Sequence, residues 1–227
     1  MNTEANAEEV SYDFTSTLQR DLPVTRSSVL LAGGLGTRLN GYEKALLPLD
    51  GGTFIENTLQ VLESVSDEVV VSFRDEEQLD LFREYVCGKE TVIDKLRNIG
   101  PLGGMLEGFK KASGEYVFVV ACDMPYLNGE LINLLFEVSE GHDAVLPINV
   151  SGQKEPLHAV YRRKPMLSEI KRCVDEGLRS VMAPVSALDD VLFLESEEIS
   201  KIDKDLLSFT NINTARDMDM LGKDKPR

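Results

Sequence analysis

A glycine-rich segment followed by two cations is the first feature of this sequence that could do chemistry. Gly33, Gly34 and Gly36 come directly after an apolar run, Arg38 follows, and Lys44 stands six residues further on. Glycine lets backbone N–H groups approach an anion closely, and the two cations supply charge for phosphate oxygens. Neither the dinucleotide fingerprint nor the P-loop pattern is complete here. The segment therefore predicts a phosphate-binding turn of another kind, and a glycine turn that binds no phosphate is the alternative.

An aspartate that follows the most apolar run of the chain is a candidate metal ligand. Asp123 comes two residues after 116–121, a run that is apolar on both faces and typical of a central parallel strand. Magnesium usually takes only one or two protein carboxylates and completes its shell with water and phosphate oxygens. Asp123 alone could therefore hold Mg²⁺ beside a bound polyphosphate. An aspartate that caps a turn or a helix is the alternative.

A second aspartate, Asp94, stands at the end of a short β-rich run and precedes the segment Gly100–Gly104. Its carboxylate could accept hydrogen bonds from a guanine edge or a ribose. Gly103 and Gly104 would leave room for a flat ring. The alternative is a solvated aspartate at a strand end, since the residue type alone does not identify a ligand.

The elements that must position these residues form an alternating pattern. Short β-rich runs alternate with segments of helical periodicity, which predicts an α/β fold: a doubly wound, mostly parallel sheet with helices on both faces. Ligands bind such sheets outside the carboxyl ends of the strands, where the segments after 32, 93 and 121 would meet. The predicted strands are 28–32, 67–72, 91–93, 116–121, 143–146 and 157–161.

Three helices have boundaries that the sequence marks chemically. Thr53 and Glu56 form a capping box ahead of an apolar stripe. Asp75 can cap the next helix, which Gly88 would end. Pro101 suits the first turn of a third helix because its missing N–H is not needed there.

Composition excludes several classes of protein. The 227 residues include 24 basic and 39 acidic side chains, and this net charge of −15 argues against broad nucleic-acid binding. No apolar run approaches the ~20 residues of a membrane-spanning helix, and the start of the sequence lacks the pattern of a secretory signal. Three widely separated cysteines, Cys87, Cys122 and Cys173, predict buried, reduced thiols. We expect a cytoplasmic protein that binds neither nucleic acid nor membrane.

The domain organisation follows from the same patterns. Residues 1–26 are polar and lack sustained apolar periodicity, so we expect a mobile N-terminal extension. Residues 27–227 are expected to form a single domain, since no internal repeat or second linker interrupts them.

Several motifs in this order resemble a known family. The opening Leu31–Arg38 with Lys44–Leu49 resembles the nucleotidyltransferases that share a doubly wound, Rossmann-like sheet. Four further motifs together resemble the molybdenum cofactor guanylyltransferases: Gly100–Gly104, Cys122–Pro125, Glu155–Tyr161 and Asn211–Thr214. The resemblance spans about Val29 to Leu221.

This resemblance implies Mg²⁺-dependent transfer of GMP from GTP to molybdopterin, giving the guanine dinucleotide cofactor and pyrophosphate. It also implies transient contact with other proteins of molybdenum cofactor biosynthesis. The implied catalytic residues are Arg38, Lys44 and Asp123, with Asp123 as the metal ligand. The implied nucleotide contacts are Leu31, Ala32, Gly33, Gly34, Gly36, Lys44, Ser72, Asp94 and Asp123, and the implied pterin-side contacts are Asn211 and Asn213.

The sequence departs from the family pattern at two places, and it contains one histidine whose role needs a separate interpretation. Ser72 stands where relatives often have asparagine, and Leu39-Asn40 stands where Met-Gly is usual. The second departure brings the glycine-rich segment close to that of the sugar-phosphate nucleotidyltransferases. Because a phosphate nucleophile is already anionic at neutral pH, His158 is expected to pack near the acceptor cleft rather than to act as an acid or base.

The sequence leaves three alternatives open. The first is the same chemistry with another nucleotide or acceptor, as in a molybdopterin cytidylyltransferase or an enzyme acting on cobinamide phosphate or a sugar phosphate. The second is a non-catalytic nucleotide-binding regulator, which should lack Lys44 or Asp123. The third is a structural or nucleic-acid-binding module, which the acidic charge disfavours.

Overall fold

The computed structural model describes residues 26–33, 43–49, 51–96 and 99–212. The strands are β1 (Arg26–Leu31), β2 (Pro48–Leu49), β3 (Gly52–Thr53), β4 (Glu68–Phe73), β5 (Glu90–Ile93), β6 (Tyr116–Ala121), β7 (Ala144–Pro147), β8 (His158–Arg162) and β9 (Val191–Leu194). The helices are α1 (Phe54–Val65), α2 (Glu76–Phe82), α3 (Pro101–Lys111), α4 (Gly129–Glu137), α5 (Arg163–Asp175), α6 (Met182–Val185) and α7 (Ser196–Ile199). Two 3₁₀ turns cover Lys44–Leu46 and Leu207–Phe209.

Seven strands form one sheet in the order β5-β4-β1-β6-β8-β7-β9, while β2 and β3 pair as a small antiparallel ribbon. Strand β8 runs antiparallel to β6 and β7, and the other neighbouring pairs of the sheet are parallel. The predicted mostly parallel sheet is therefore confirmed. The chain adds β4 and β5 on one side of β1 and β6 on the other, so the strand order reverses between β1 and β6. Ligands bind at such switch points in open α/β sheets.

Successive residues of the central strands face two different apolar cores, as the period of two of a β-strand requires. Leu30 and Phe118 pack with α1 and α4 on one face of the sheet. Val29 and Val119 pack with α3 and α5 on the other. Because both faces are covered, β6 is buried along most of its length, which confirms the prediction made from its unbroken apolar run.

The predicted helix starts are confirmed, and one predicted helix end is wrong. Thr53 caps α1 in a reciprocal capping box with Glu56. Asp75 caps α2, and Pro101 is the first residue of α3. Helix α2 ends at Phe82 rather than at Gly88. Beyond Phe82 the chain forms tight turns, in which the N–H of Tyr85 donates to the carbonyl of Phe82, three residues back.

Both ends of the sequence lie partly outside the described residues. Arg26, the last residue of the predicted extension, already begins β1, where its N–H donates to Asp67 Oδ2 at 3.0 Å. The extension before it and the residues after 212 are not described, so the predicted domain limits stay predictions. Among the described residues, no helix is both long and apolar enough to cross a membrane. The predicted cytoplasmic location stays a prediction.

Candidate active site

A cleft of about 550 Å³ opens at the carboxyl edge of the sheet. Its walls are the chain segments that follow four neighbouring parallel strands, the first turn of α3 and the residue before β8. The chemically relevant lining residues are Leu31, Gly33, Ser72, Arg74, Asp94, Gly100, Gly104, Cys122 and Asp123. The parallel strands thus bring together residues as far apart in the chain as Leu31 and Asp123, because parallel neighbours end at the same edge.

Lys44 and Asp123 face each other at this edge. Lys44 Nζ lies 3.8 Å from Asp123 Oδ2, and the two side chains are 15% and 27% exposed. Burial raises the pKa of Asp123, and the nearby Lys44 ammonium opposes that shift. The main chain of Asp123 is held by the N–H of Ile212, which donates to its carbonyl at 2.9 Å. The pair is therefore fixed in position, yet open enough for phosphate oxygens to reach it.

The donor set at Asp123 fits a magnesium ion that is shared with a bound polyphosphate. No group of three or more histidine, cysteine or acidic side chains suited to a metal occurs within the described ranges. A closed, all-protein metal site is therefore not formed there. Magnesium favours hard oxygen ligands and often takes only one or two carboxylates together with substrate phosphates. Asp123 supplies one such carboxylate at the cleft.

The Asp94 side chain packs against the start of α3. Its Oδ1 accepts a hydrogen bond from the N–H of Leu96 at 2.8 Å. A Cβ atom on Gly103 would overlap both carboxylate oxygens of Asp94, so only glycine allows this approach. Burial raises the pKa of Asp94, the Leu96 N–H opposes that shift, and the Glu107 carboxylate adds to it. The carboxylate is thereby fixed as a hydrogen-bond acceptor in the wall of the cleft.

The predicted contacts at the ends of β1 and β4 differ in accessibility. Leu31 and Gly33 line the cleft, whereas Ala32 does not and is 1% exposed. The N–H of Ala32 donates to the carbonyl of Ser72, and its own carbonyl accepts from Gln78. Ser72 lines the cleft but is only 2% exposed. Direct nucleotide contacts from Ala32 and Ser72 stay predictions.

Four of the predicted site residues, Gly34, Gly36, Arg38 and Asn213, lie outside the described residues. Asn211 is described and exposed, and its Nδ2 donates to the carbonyl of Phe209 at 3.4 Å. Its neighbour Ile212 makes the backbone hydrogen bond to Asp123. The chain around Asn211 therefore reaches the same edge of the sheet as the Lys44–Asp123 pair.

A polar cluster beside the cleft was not predicted from the sequence. Arg74 lines the cleft, and its guanidinium donates to Asp75 Oδ2 at 2.8 Å and to Glu43 Oε1 at 3.3 Å. Gln78 is buried and donates to the carbonyl of Ala32 and to Glu43. Arg74 directly follows a strand, so the strand-end rule could have identified it. Gln78 carries no such signal, because its partners come from distant parts of the chain.

Burial shifts the pKa values of a cysteine and a histidine near the cleft, so that both side chains are uncharged at neutral pH. The desolvated Cys122 thiol has its pKa raised to about 12, so it is protonated at neutral pH. His158 is fully buried between the rings of Phe118 and Phe209, whose centroids lie 5.1 and 5.2 Å from its own. Burial lowers the pKa of His158 to about 4. A packed, neutral histidine agrees with the role expected from the sequence.

The three cysteines are free thiols, as predicted, but the prediction that all are buried is wrong: Cys173 is buried, Cys122 is partly exposed and Cys87 is exposed, since it lies in the turns after α2. Cys122 is the one that lines the cleft. Because its thiol is protonated and the thiolate is the nucleophilic form of cysteine, it is not an activated nucleophile.

Comparison with known proteins agrees with this geometry. Residues 28–191 match the MobA-like NTP transferase domain, a range that runs from within β1 to the first residue of β9 and contains the residues that line the cleft. The chain belongs to the MobA-like NTP transferases. The predicted nucleotidyltransferase class is therefore confirmed, and the protein is an enzyme of that class.

Relatives of this MobA-like transferase cover most of its length. A protein of Methanosarcina mazei named probable molybdenum cofactor guanylyltransferase is 42% identical over 210 residues, or 89% of this chain and 92% of that protein. A protein of Methanosarcina acetivorans with the same name is 43% identical over 203 residues, or 87% and 90% of the two chains. The crystal structure of molybdopterin-guanine dinucleotide biosynthesis protein A from Archaeoglobus fulgidus superposes with a TM-score of 0.74 at 29% identity, covering 86% and 96% of the two chains. The predicted family resemblance is confirmed.

Proposed function

We propose that the protein transfers GMP from GTP to molybdopterin, releasing pyrophosphate and forming the guanine dinucleotide cofactor. The observation that carries this proposal is the Lys44–Asp123 pair, with its 3.8 Å separation, at the cleft that Asp94 also lines. The names of the two Methanosarcina relatives support both the nucleotide and the acceptor.

The cleft suits a nucleotide in size and in the distribution of its polar groups. Its volume of about 550 Å³ lies within the range of small-molecule sites. We place the guanine base against the first turn of α3, where Asp94 can accept hydrogen bonds from the base or ribose. We place the triphosphate across the ends of β1 and β6, where Gly33 and Lys44 supply a close backbone approach and a positive charge.

The reaction needs positioning and charge rather than a protein nucleophile. A terminal phosphate oxygen of molybdopterin attacks the α-phosphorus of GTP, and the bond from that phosphorus to the bridging oxygen of the β-phosphate breaks. Pyrophosphate leaves with the electron pair of that bond. Lys44 stabilises the negative charge on the departing group, as preorganised cations do in phosphoryl transfer. The protonated Cys122 thiol is consistent with transfer in a single displacement.

Asp123 would hold Mg²⁺ at this cleft, as its donor chemistry permits. When bound, the ion neutralises charge on the phosphate oxygens. Asp123 also draws Lys44 towards the cleft, which keeps the ammonium near the position we assign to the phosphates.

The acceptor would lie on the side of Asp123 from which Asn211 approaches. The N–H of Ile212 donates to the main-chain carbonyl of Asp123, which holds that segment beside Asp123. Asn211 is exposed, so its carboxamide is available to a polar acceptor such as the pterin. We propose the same role for Asn213 from the family resemblance.

A product assay with four nucleotides tests this function. The protein is incubated with molybdopterin, Mg²⁺ and one of GTP, CTP, ATP or UTP, and the dinucleotide product and pyrophosphate are measured. We expect product with GTP and at least about tenfold less with CTP, since a site built to hydrogen-bond one base discriminates strongly against another. Asp123→Ala, a variant that should still fold, is the control and should abolish transfer. Preferential use of CTP would overturn the proposed function. Normal turnover by Asp123→Ala would overturn the role of Asp123.

A further inference from the structure

Gln78 connects the two chain segments that flank the glycine-rich residues. Its Nε2 donates to the carbonyl of Ala32 at 2.9 Å and to Glu43 Oε2 at 2.8 Å, so both amide protons are used. Its Oε1 accepts from the N–H of Arg74 at 2.8 Å. One carboxamide therefore joins the end of β1, the residue before Lys44 and the end of β4.

The surroundings of Gln78 make this connection rigid. The side chain is 2% exposed, so its hydrogen bonds do not compete with bulk water. Its backbone N–H donates to Asp75 Oδ1 at 2.8 Å, which anchors Gln78 in the first turn of α2. Glu43 is held a second time by the guanidinium of Arg74. Glu43 consequently has little freedom to move, and the main chain that leads into Lys44 is fixed with it.

We infer that Gln78 is a positioning residue for nucleotidyl transfer. It fixes Gly33 through Ala32 and Lys44 through Glu43, so the backbone and the cation that face the phosphates keep one relative position. The inference rests on the proposed function in assigning GTP as the nucleotide and in placing its phosphates against Gly33 and Lys44. The carboxamide itself does not line the cleft, so it acts through its neighbours rather than on the substrate.

Substitution of Gln78 by methionine tests the inference with little change in side-chain shape. Gln78→Met removes all three hydrogen bonds, and we expect kcat/KM for GTP to fall about 10- to 100-fold, the scale of a small misplacement of catalytic groups. Asn133→Leu is the matched control, because it removes the 2.9 Å hydrogen bond from Arg26 Nη1 at the opposite end of β1. This control should also lower Tm, though by less because it removes one hydrogen bond rather than three, while kcat/KM stays within about threefold of the wild type.

A charge exchange separates positioning from general packing. Gln78→Glu places a carboxylate against Glu43 and the Ala32 carbonyl, so it should lower kcat/KM at least as much as Gln78→Met. Adding Glu43→Gln restores an amide–carboxylate hydrogen bond between positions 43 and 78, and should recover about three- to tenfold of the loss. Such recovery without a matching gain in Tm would support the inference.

Two results would overturn the inference: a Gln78→Met enzyme within about threefold of wild-type kcat/KM, or a double variant no better than Gln78→Glu. If the wild type uses CTP instead of GTP, the proposed function fails. The same variants then test Gln78 with CTP, so the two failures are distinguishable.

Discussion

Lys44 and Asp123 are opposite charges held close together at the edge of a cleft, where neither is fully solvated. A partly buried ion pair gives little net stability, because the loss of hydration offsets much of the attraction. Perturbed carboxylates of this kind cluster at functional sites. We therefore interpret the pair as a pre-arranged charge set for phosphate rather than as a stabilising element of the fold.

Replacement of Lys44 tests its charge directly. Lys44→Ala should lower kcat/KM for GTP by about 10²- to 10³-fold, the usual effect of removing one donor from developing negative charge. The measurement is steady-state pyrophosphate release. Lys201→Ala is the control, since Lys201 is an exposed lysine paired with Glu198 on α7. A loss below about tenfold for Lys44→Ala would reduce Lys44 to an ordinary surface lysine.

At the scale of elements, α3 is the helix that shapes the cleft, and its glycines allow it to lie close to the sheet. A Cβ on Gly104 would come within 2.9 Å of Ser72 Oγ, and one on Gly108 within 2.6 Å of Val29 Cγ1. Glycine costs roughly 1 kcal/mol per residue in a helix interior relative to alanine. These glycines therefore lower the intrinsic stability of α3, but the close approach that they allow places its first turn beside Asp94.

Gly103→Ala tests whether the position of the Asp94 carboxylate against α3 matters for nucleotide binding. The added methyl group would displace the Asp94 carboxylate, so we expect at least about tenfold weaker GTP binding, equal to about 1.4 kcal/mol. The measurement is titration of GTP by calorimetry. Gly129→Ala is the matched control. Gly129 begins α4, and a Cβ atom there would come no closer than 3.4 Å to its nearest neighbour, Val65 Cγ1. Equal GTP affinity in the two variants would contradict a nucleotide-binding role for Asp94.

Local signals allowed several elements to be predicted from the sequence. The capping box of Thr53 and Glu56 depends on residues three positions apart, so the sequence alone contains it. The strand Tyr116–Ala121 was also predicted with its observed limits, because burial on both faces leaves an unbroken apolar run. The end of α2 was predicted wrongly. Gly88 does adopt a positive φ of +77°, but the chain leaves the helix six residues earlier.

At the scale of the whole molecule, the C-terminal described segment closes over one core and reaches the site. Phe209 packs on His158, Asp203 accepts from the N–H groups of Leu207 and Ser208, and Ile212 bonds to Asp123. Neither ring nitrogen of His158 has a hydrogen-bond partner among the residues described. Protonation of this ring would therefore place a buried charge beneath the segment, which the nearby Asp203 carboxylate offsets only in part.

Acid should destabilise the fold through His158. Its pKa is about 4 in the folded state and 6.5 in the unfolded state, so the unfolded state binds more protons between these values. Stability from this residue is thus complete above pH 6.5 and is lost as pH falls to about 4, a total of roughly 3 kcal/mol. Urea unfolding of the wild type and of His158→Leu across this range measures the difference. A constant difference between the two proteins would contradict this linkage.

Long-range contacts explain what the sequence could not predict about the site. Asp94 and Asp123 were identified because each follows a predicted strand, and parallel strands end together. Gln78 was missed because its partners Ala32 and Glu43 lie 46 and 35 residues away and belong to no recognisable motif. The strand-end rule finds residues at an edge, whereas the network behind that edge depends on packing of distant segments.

The structure of the protein with Mg²⁺ and a non-hydrolysable GTP analogue tests the central claim most directly. We predict the nucleotide in the cleft between the ends of β1 and β6, with its base or ribose hydrogen-bonded to Asp94 and its phosphates reached by Lys44 and, through the ion, by Asp123. A nucleotide bound elsewhere, or one whose phosphates contact neither Lys44 nor an ion on Asp123, would contradict the account.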